Sequence, residues 1–375
     1  MPHALSPASV PATGHPPQPA AHSAAPDAPP APSGPPAPPA PRTPRRRTLL
    51  AFLLLAAVLV LAGAVVLSLG VGAKFIPFST VLEAFTHRQD TSDQAIIVAN
   101  RLPRTLLGVV AGMALGAAGS LIQAVTRNPL ADPGILGVNA GAAFAIVIAI
   151  GVFGVGSLPG YIWFAFAGAI LTTAAVYLIG TSGRGGINPL RLTLSGVALG
   201  AVLTGIGSAL MLVNPKAFDQ MRAWNIGSLD GRTMDVVLTV LPFIAVGLLI
   251  AAACSRGLNA VALGDDVATS LGTSVAATRI WAVVAITLLA GGATAAVGAI
   301  GFVGLMVPHA ARWITGPDQR WIMAFSVVLA PILLLVSDVL GRIAVPGELQ
   351  VGIVTAFLGA PVLVALARRR KVAQL

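Results

Sequence analysis

The chain of 375 residues has a single cysteine, Cys254, which excludes an internal disulfide; without a CxxC pair or a Cys/His cluster, it also argues against a structural metal site. Charge is scarce too: only 10% of residues are Asp, Glu, Lys or Arg, where an ordinary soluble domain carries about a quarter. No G-x-x-x-x-G-K-[ST] occurs, and none of the three lysines, Lys74, Lys216 and Lys371, follows a glycine. The chain therefore has no loop of its own to cradle ATP phosphates, and H-E-x-x-H is missing as well. A soluble enzyme with a recognisable nucleotide or zinc motif is excluded.

What is present is apolar side chain: 56% of residues are hydrophobic and the mean hydropathy is +0.86. About 20 apolar residues cross the hydrocarbon as a helix, and runs of that kind recur between short polar clusters. They are continuous rather than alternating, which predicts helices and not a barrel. The reading is an all-α polytopic membrane protein with spans near 49–72, 97–126, 133–155, 160–181, 192–213, 235–254, 279–300, 302–315, 321–340 and 351–367.

Residues 1–47 contrast with the rest, since 16 of the 29 prolines lie there among Ala, Ser and Gly. The sequence predicts a disordered cytoplasmic tail followed by one transmembrane domain over 48–375. Arg45, Arg46 and Arg47 flank an apolar run too long for a signal peptide, so an uncleaved first span is expected. The run of arginines reads as positive-inside anchoring in preference to a twin-arginine export signal. With the N-terminus inside, eight of the 23 Lys and Arg fall outside: Lys74, Arg88, Arg101, Arg104, Lys216, Arg222, Arg232 and Arg342. The remainder fall inside, which places both termini in the cytoplasm. The pI of about 11.3 thus reflects topology and not a nucleic-acid surface.

Between the second and third spans the chain stops for "RNPLADPGILG", Arg127 to Gly137. Asn128-Pro129 and Asp132-Pro133 break the helix, because proline has no N–H and pushes its predecessor out of the α region. Two such pairs four residues apart specify more shape than a plain turn needs.

Seven stretches, "RLPR" (101–104), "GSLIQAVTRNPLADPGILGVNAGA" (119–142), "LSGVALG" (194–200), "WNIGSL" (224–229), "LNAVALGDDVATSLG" (258–272), "GAIGFVGLMVPHAAR" (298–312) and "GELQVGIVTAFLGAP" (347–361), resemble in order the FecCD family of ABC importer permeases. The resemblance runs from about Leu49 to Arg370. It implies uptake of iron–siderophore complexes, haem or cobalamin across a bacterial inner membrane by a type II importer. It also implies about ten helices, with spans two to five and seven to ten as inverted halves. The implied partners are a second permease, identical or related, two cytoplasmic ATPase subunits that hold ATP and Mg, an extracytoplasmic binding protein, and lipid. No cofactor is expected on this chain. Gln350 departs from the family's proline in "ELPVG".

The resemblance also assigns residues. The cytoplasmic segment 255–279 is implied to form a pair of short helices that engage the ATPase, at Leu263, Gly264, Asp265, Ala268, Leu271 and Gly272. "DDVATSLG" itself reads as a short helix, with Asp at its start and Gly past its end. Arg101, Arg104 and Arg342 are implied to dock carboxylates of the binding protein, in preference to anchoring at the headgroups. Asn128 and Leu130, with Asn188 and Leu190 of "INPLRL", match a cytoplasmic gate. Gln123, Ser195, Gly196, Thr204, Gly205 and Ser208 are small or mildly polar at helical spacing and are expected to line the translocation path, although small residues also let membrane helices pack closely. His309 and Asp338 are ionisable at membrane depth, and structural roles near the ends of short helices are expected for both.

Two other classes compete. An ion-coupled secondary transporter needs several intramembrane carboxylates or histidines, and the chain offers at most two. An intramembrane enzyme needs a nucleophile–base or metal constellation, and none is visible. The expected function is the permease of an ATP-driven importer, with iron(III)–siderophore as cargo.

Overall fold

A computed structural model describes residues 44–72, 74–86, 91–182, 189–345 and 347–368, and among them every regular element is helical. Most of the expected tail lies outside these residues, but the first helix, α1 (Pro44–Gly70), begins earlier than expected. Arg45, Arg46 and Arg47 thus form its first turn instead of flanking it. Arg46 Nη2 donates to Thr315 O at 3.2 Å, capping the C-terminus of another helix with a cation.

After the short α2 (Phe78–Thr86) comes α3 (Ser92–Ile96), whose Thr91 hydroxyl accepts from the Gln94 N–H. One π turn, Ile97–Arg101, joins it to α4 (Leu102–Thr126). The turn has a local cause: Pro103 cannot donate to the ladder and its ring displaces the carbonyl one turn back, so the helix slips to the wider bond, with Leu102 N–H donating to Ile97 O.

The remaining helices are α5 (Val138–Gly151), α6 (Leu158–Thr181), α7 (Pro189–Val213), α8 (Pro215–Ile226), α9 (Met234–Val261), α10 (Asp265–Ser270), α11 (Val275–Val297), α12 (Val303–Thr315), α13 (Gln319–Ala344) and α14 (Val351–Arg368). Among the described residues, seven helices are long and apolar enough to span a membrane: α1, α4 with its α3 extension, α6, α7, α9, α11 and α13. The expected spans at 133–155, 302–315 and 351–367 are shorter helices. With 14 and 13 residues, α5 and α12 reach about 20 Å, against roughly 30 Å of hydrocarbon. The two follow α4 and α11, so the series α4–α7 and α11–α14 each carry a short second member, a pattern of repeat-built transporters.

The centre of the fold is the seam between α4 and α13. Glycines at 108, 112 and 116 recur every four residues on α4 and present one bare stripe. A methyl built on Gly112 would lie 2.5 Å from Pro331 Cα, and one on Gly116 would strike Ser326 O. Glycine is what lets the two backbones meet, as small residues do in membranes.

Two amphipathic pieces escaped the sequence reading. In α8, which lies between α7 and α9, the Asn214 side chain accepts from Ala217 N–H at 3.0 Å and Pro215 opens the helix. The Asn-Pro pair at 214–215 was the available signal. At the other end α9 runs on to Val261, so 255–261 is helix and not part of a loop.

Candidate functional site

Polar chemistry gathers at the two ends of α4. Arg104, near its start, contacts Asp230 ahead of α9, while Arg127 at its end contacts Asp265 just past α9, so α4 and α9 run in the same direction.

At the end bearing Arg127, α4 closes with a left-handed residue, Arg127 itself (φ 50, ψ 33). Its guanidinium donates through Nη2 to Val261 O, the last residue of α9, and at 2.6 Å to Asp265 Oδ1. The same carboxylate oxygen accepts from Arg279 Nη2 at 2.9 Å. Asp265 is the first residue of α10 and is bracketed by two cations from α4 and α11. Beyond it α10 closes as foreseen: Thr273 N–H donates to Ala268 O and Gly272 N–H to Thr269 O, with Gly272 at φ +79. One short helix forms here where a pair was implied. Ala268 is fully buried, whereas Leu263 and Leu271 are each 64% exposed. Gly264, at φ +113, has open space around it.

Arg127 opens the loop to α5. Asn128 is exposed and its Oδ1 accepts from Leu130 N–H at 2.9 Å, while Pro129 beside it is buried. Asp132 Oδ1 takes Gly134 N–H at 2.8 Å, starting a 3₁₀ turn over Pro133–Leu136. Burial pushes the Asp132 carboxyl above its ordinary range, against the effect of that backbone bond. Leu190 is exposed near the start of α7, and Asn188 lies outside the described residues.

The path residues divide. Thr204, Gly205 and Ser208 are exposed and Ser195 is half-buried on α7, a helix with little of its apolar surface covered within the chain. Gln123 and Gly196 do not belong with them. Gln123 is fully buried, donating to Leu305 O at 3.0 Å, so its amide ties α4 to α12. A methyl on Gly196 would collide with Ile135 O, so this glycine is a close-packing point between α7 and the 3₁₀ turn.

The expected docking arginines at the opposite end are buried and occupied. Arg101, 7% exposed, donates through Nη1 to Leu69 O and Gly70 O at 2.7 Å and through Nη2 to Lys74 O. It therefore caps α1. Arg104 grips Asp338 with Nε at 3.1 Å and Nη2 at 2.9 Å, and gives Nη1 to Asp230 and Glu348. Arg342 donates to Asp338 Oδ2, which Arg104 Nε also reaches, and to Ser68 O. These guanidiniums are not free exposed charges, because the helices around them need their cations. Asp338 sits inside the 26-residue α13, fully buried, as the hub of the cluster and not at the end of a short helix. Around the cluster opens a recess of about 450 Å³, lined also by Lys74, Asn100 and Arg232. Glu348 lies just before α14, at φ +58. Gln350, in place of proline, still starts that helix, its carbonyl accepting from Ile353 N–H. His309 stacks edge-on against Trp313, 4.9 Å between centroids.

The sequence and the fold are similar to known proteins. The FecCD transport family model matches residues 53–369. The chain belongs to the FecCD transport family. This FecCD member is 50% identical over 312 residues to the ferric enterobactin transport system permease protein FepD of Escherichia coli (strain K12), covering 83% of this chain and 93% of that protein. It is 39% identical to the probable siderophore transport system permease protein YfiZ of Bacillus subtilis (strain 168), covering 84% and 95%. In structure it is similar to a metal-chelate type ABC transporter in an inward-facing conformation, with a TM-score of 0.76, 27% identity, and coverage of 84% of this chain and 99% of that one. The fold is that of an ABC transporter permease.

Proposed function

We propose that this FecCD member is the membrane permease of an ATP-driven importer whose cargo is an iron(III)–siderophore complex. The observation that carries the reading is α10: a short helix beyond the spans that leaves Leu263, Val267 and Leu271 exposed while Asp265 and Ala268 face the permease. Large apolar side chains left open beside charged residues call for a protein partner. A separate ATPase that binds ATP and Mg supplies the energy, two copies serving a pair of permease chains. Both termini lie in the cytoplasm and the spans in the inner membrane. A binding protein that presents carboxylates would meet the opposite recess through Lys74 and Arg232, since Arg101, Arg104 and Arg342 are occupied within the chain. The siderophore assignment rests on the relatives, FepD above all.

Reconstitution tests it. Proteoliposomes holding this permease, its ATPase and a loaded binding protein should accumulate iron only with Mg-ATP. Uptake driven by an ion gradient without ATP would favour a secondary transporter, and growth of a deletion strain on single siderophores, haem or cobalamin identifies the cargo.

A further inference from the structure

Arg127 holds a left-handed backbone that is costly for a residue with a side chain, so its surroundings must hold it there. Backbone bonds from Arg127 N–H to Ala124 O and from Asn128 N–H to Gln123 O close the turn, and the guanidinium's grip on Val261 O and Asp265 joins three things: the hinge of α4, the end of α9 and the start of α10. We propose that Asp265 is a positioning residue that ties α10 to this hinge, so that displacement of α10 by the ATPase moves the loop 128–137 and with it the cytoplasmic opening.

The chain of contacts is continuous. Asp265 Oδ1 accepts from both Arg127 and Arg279 of α11, so a single oxygen links α10 to two helices. From Arg127 the loop is stiff, because Asn128 and Asp132 each fold their side chains back on the backbone and Pro129 is buried. Its far part reaches two more helices. A methyl built on Gly304, in the first turn of α12, would lie 2.9 Å from Pro133 Cδ, and Ile135 O abuts Gly196 of α7. A shift of α10 therefore arrives at α12 and at the helix that carries Ser195, Thr204 and Ser208. On its other side α9 is fastened separately, Asn259 Nδ2 donating to Asp318 Oδ1 at 2.8 Å ahead of α13. Asp266, the exposed neighbour of Asp265, takes no part in this clamp, and the distinction between the two acids is testable.

The inference rests on the proposed ATP-driven function, and the experiment keeps the two apart. Full complexes with ATPase and binding protein are reconstituted with wild type, Asp265→Asn, Asp265→Glu, Asp266→Asn, Arg127→Gln and the Asp265→Asn/Arg127→Gln double variant. The readout is iron taken up per ATP hydrolysed, with co-purification of the ATPase as control. Asp265→Asn and Arg127→Gln should each lower the ratio about tenfold, as losing a typical coupling does. The double variant should fall no further, because the pair acts as a unit. Asp265→Glu should recover most of the ratio and Asp266→Asn should keep it. A wild-type ratio in Asp265→Asn, additive losses in the double variant, or a loss that follows ATPase release would each overturn the proposal. ATP-independent uptake by the wild-type complex would instead overturn the functional reading.

Discussion

Each end of α4 is held by an aspartate between two arginines, yet the two clusters differ in burial. Asp338, between Arg104 and Arg342, has a side chain 1% exposed, whereas Asp265, between Arg127 and Arg279, is 47% exposed. The same three-residue chemistry therefore does different work. In the sealed cluster both Asp338 oxygens and every guanidinium nitrogen have a partner, and separating the charges leaves an ion in apolar surroundings. In the open cluster water reaches Asp265 and Arg127, so the link between these two can be made and broken at less cost, while Arg279 beside them is buried. One end of the helix is fixed and the other is free to respond.

The comparison is broken most violently at the sealed end. Asp338→Ala leaves the buried Arg342 without a counter-ion and Arg104 with only Asp230 and Glu348, for which the expected loss is about 3–5 kcal/mol, seen as lower expression and earlier thermal unfolding of the purified permease. Next is the seam between the ends: Gly116→Leu drives a side chain into Ser326 O and should cost about 1–3 kcal/mol with function lost in proportion to folded protein. At the open end Asp265→Asn should lower stability by less than about 1 kcal/mol, while raising the ionic strength should speed hydrogen exchange in α10 and leave the Asp338 cluster unchanged.

The smallest effect concerns Asp132. Its carboxyl titrates higher folded than unfolded, so ionisation destabilises the fold, and the cost grows as pH rises from the unfolded value through the folded one. Asp132→Asn keeps an oxygen to accept from Gly134 N–H and removes the charge. Its stability relative to wild type should therefore be unchanged in acid and rise toward neutral pH, and a parallel pair of stability curves would refute this.

Helix number and type were largely legible because apolar runs report burial in lipid without reference to neighbours. The short α10 was also legible, since its Asp start and Gly stop are local signals. Which way a side chain faces was not. Gln123 and Gly196 share the small, mild character of Thr204 and Ser208, and only the packing of α12 and the 3₁₀ turn separates them. Arg101 and Arg104 look like boundary cations in "RLPR", but the π turn ahead of Pro103 aims them inward at partners as distant in sequence as Asp338. The importance of Arg127 was hidden for the same reason, its partners lying more than 130 residues away.

The shortness of α5 and α12 bears on how the protein is made. Neither helix can be handed to the bilayer alone as it leaves the ribosome, since about 20 Å of helix does not bridge it and α12 carries His309 and Arg312 besides. Each must wait in the insertion machinery until a longer neighbour is synthesised, α5 with α6 and α12 with α13, and then enter as a hairpin. A nascent chain arrested just after residue 151 or 315 should thus remain extractable, while one extended through 181 or 344 should be integrated.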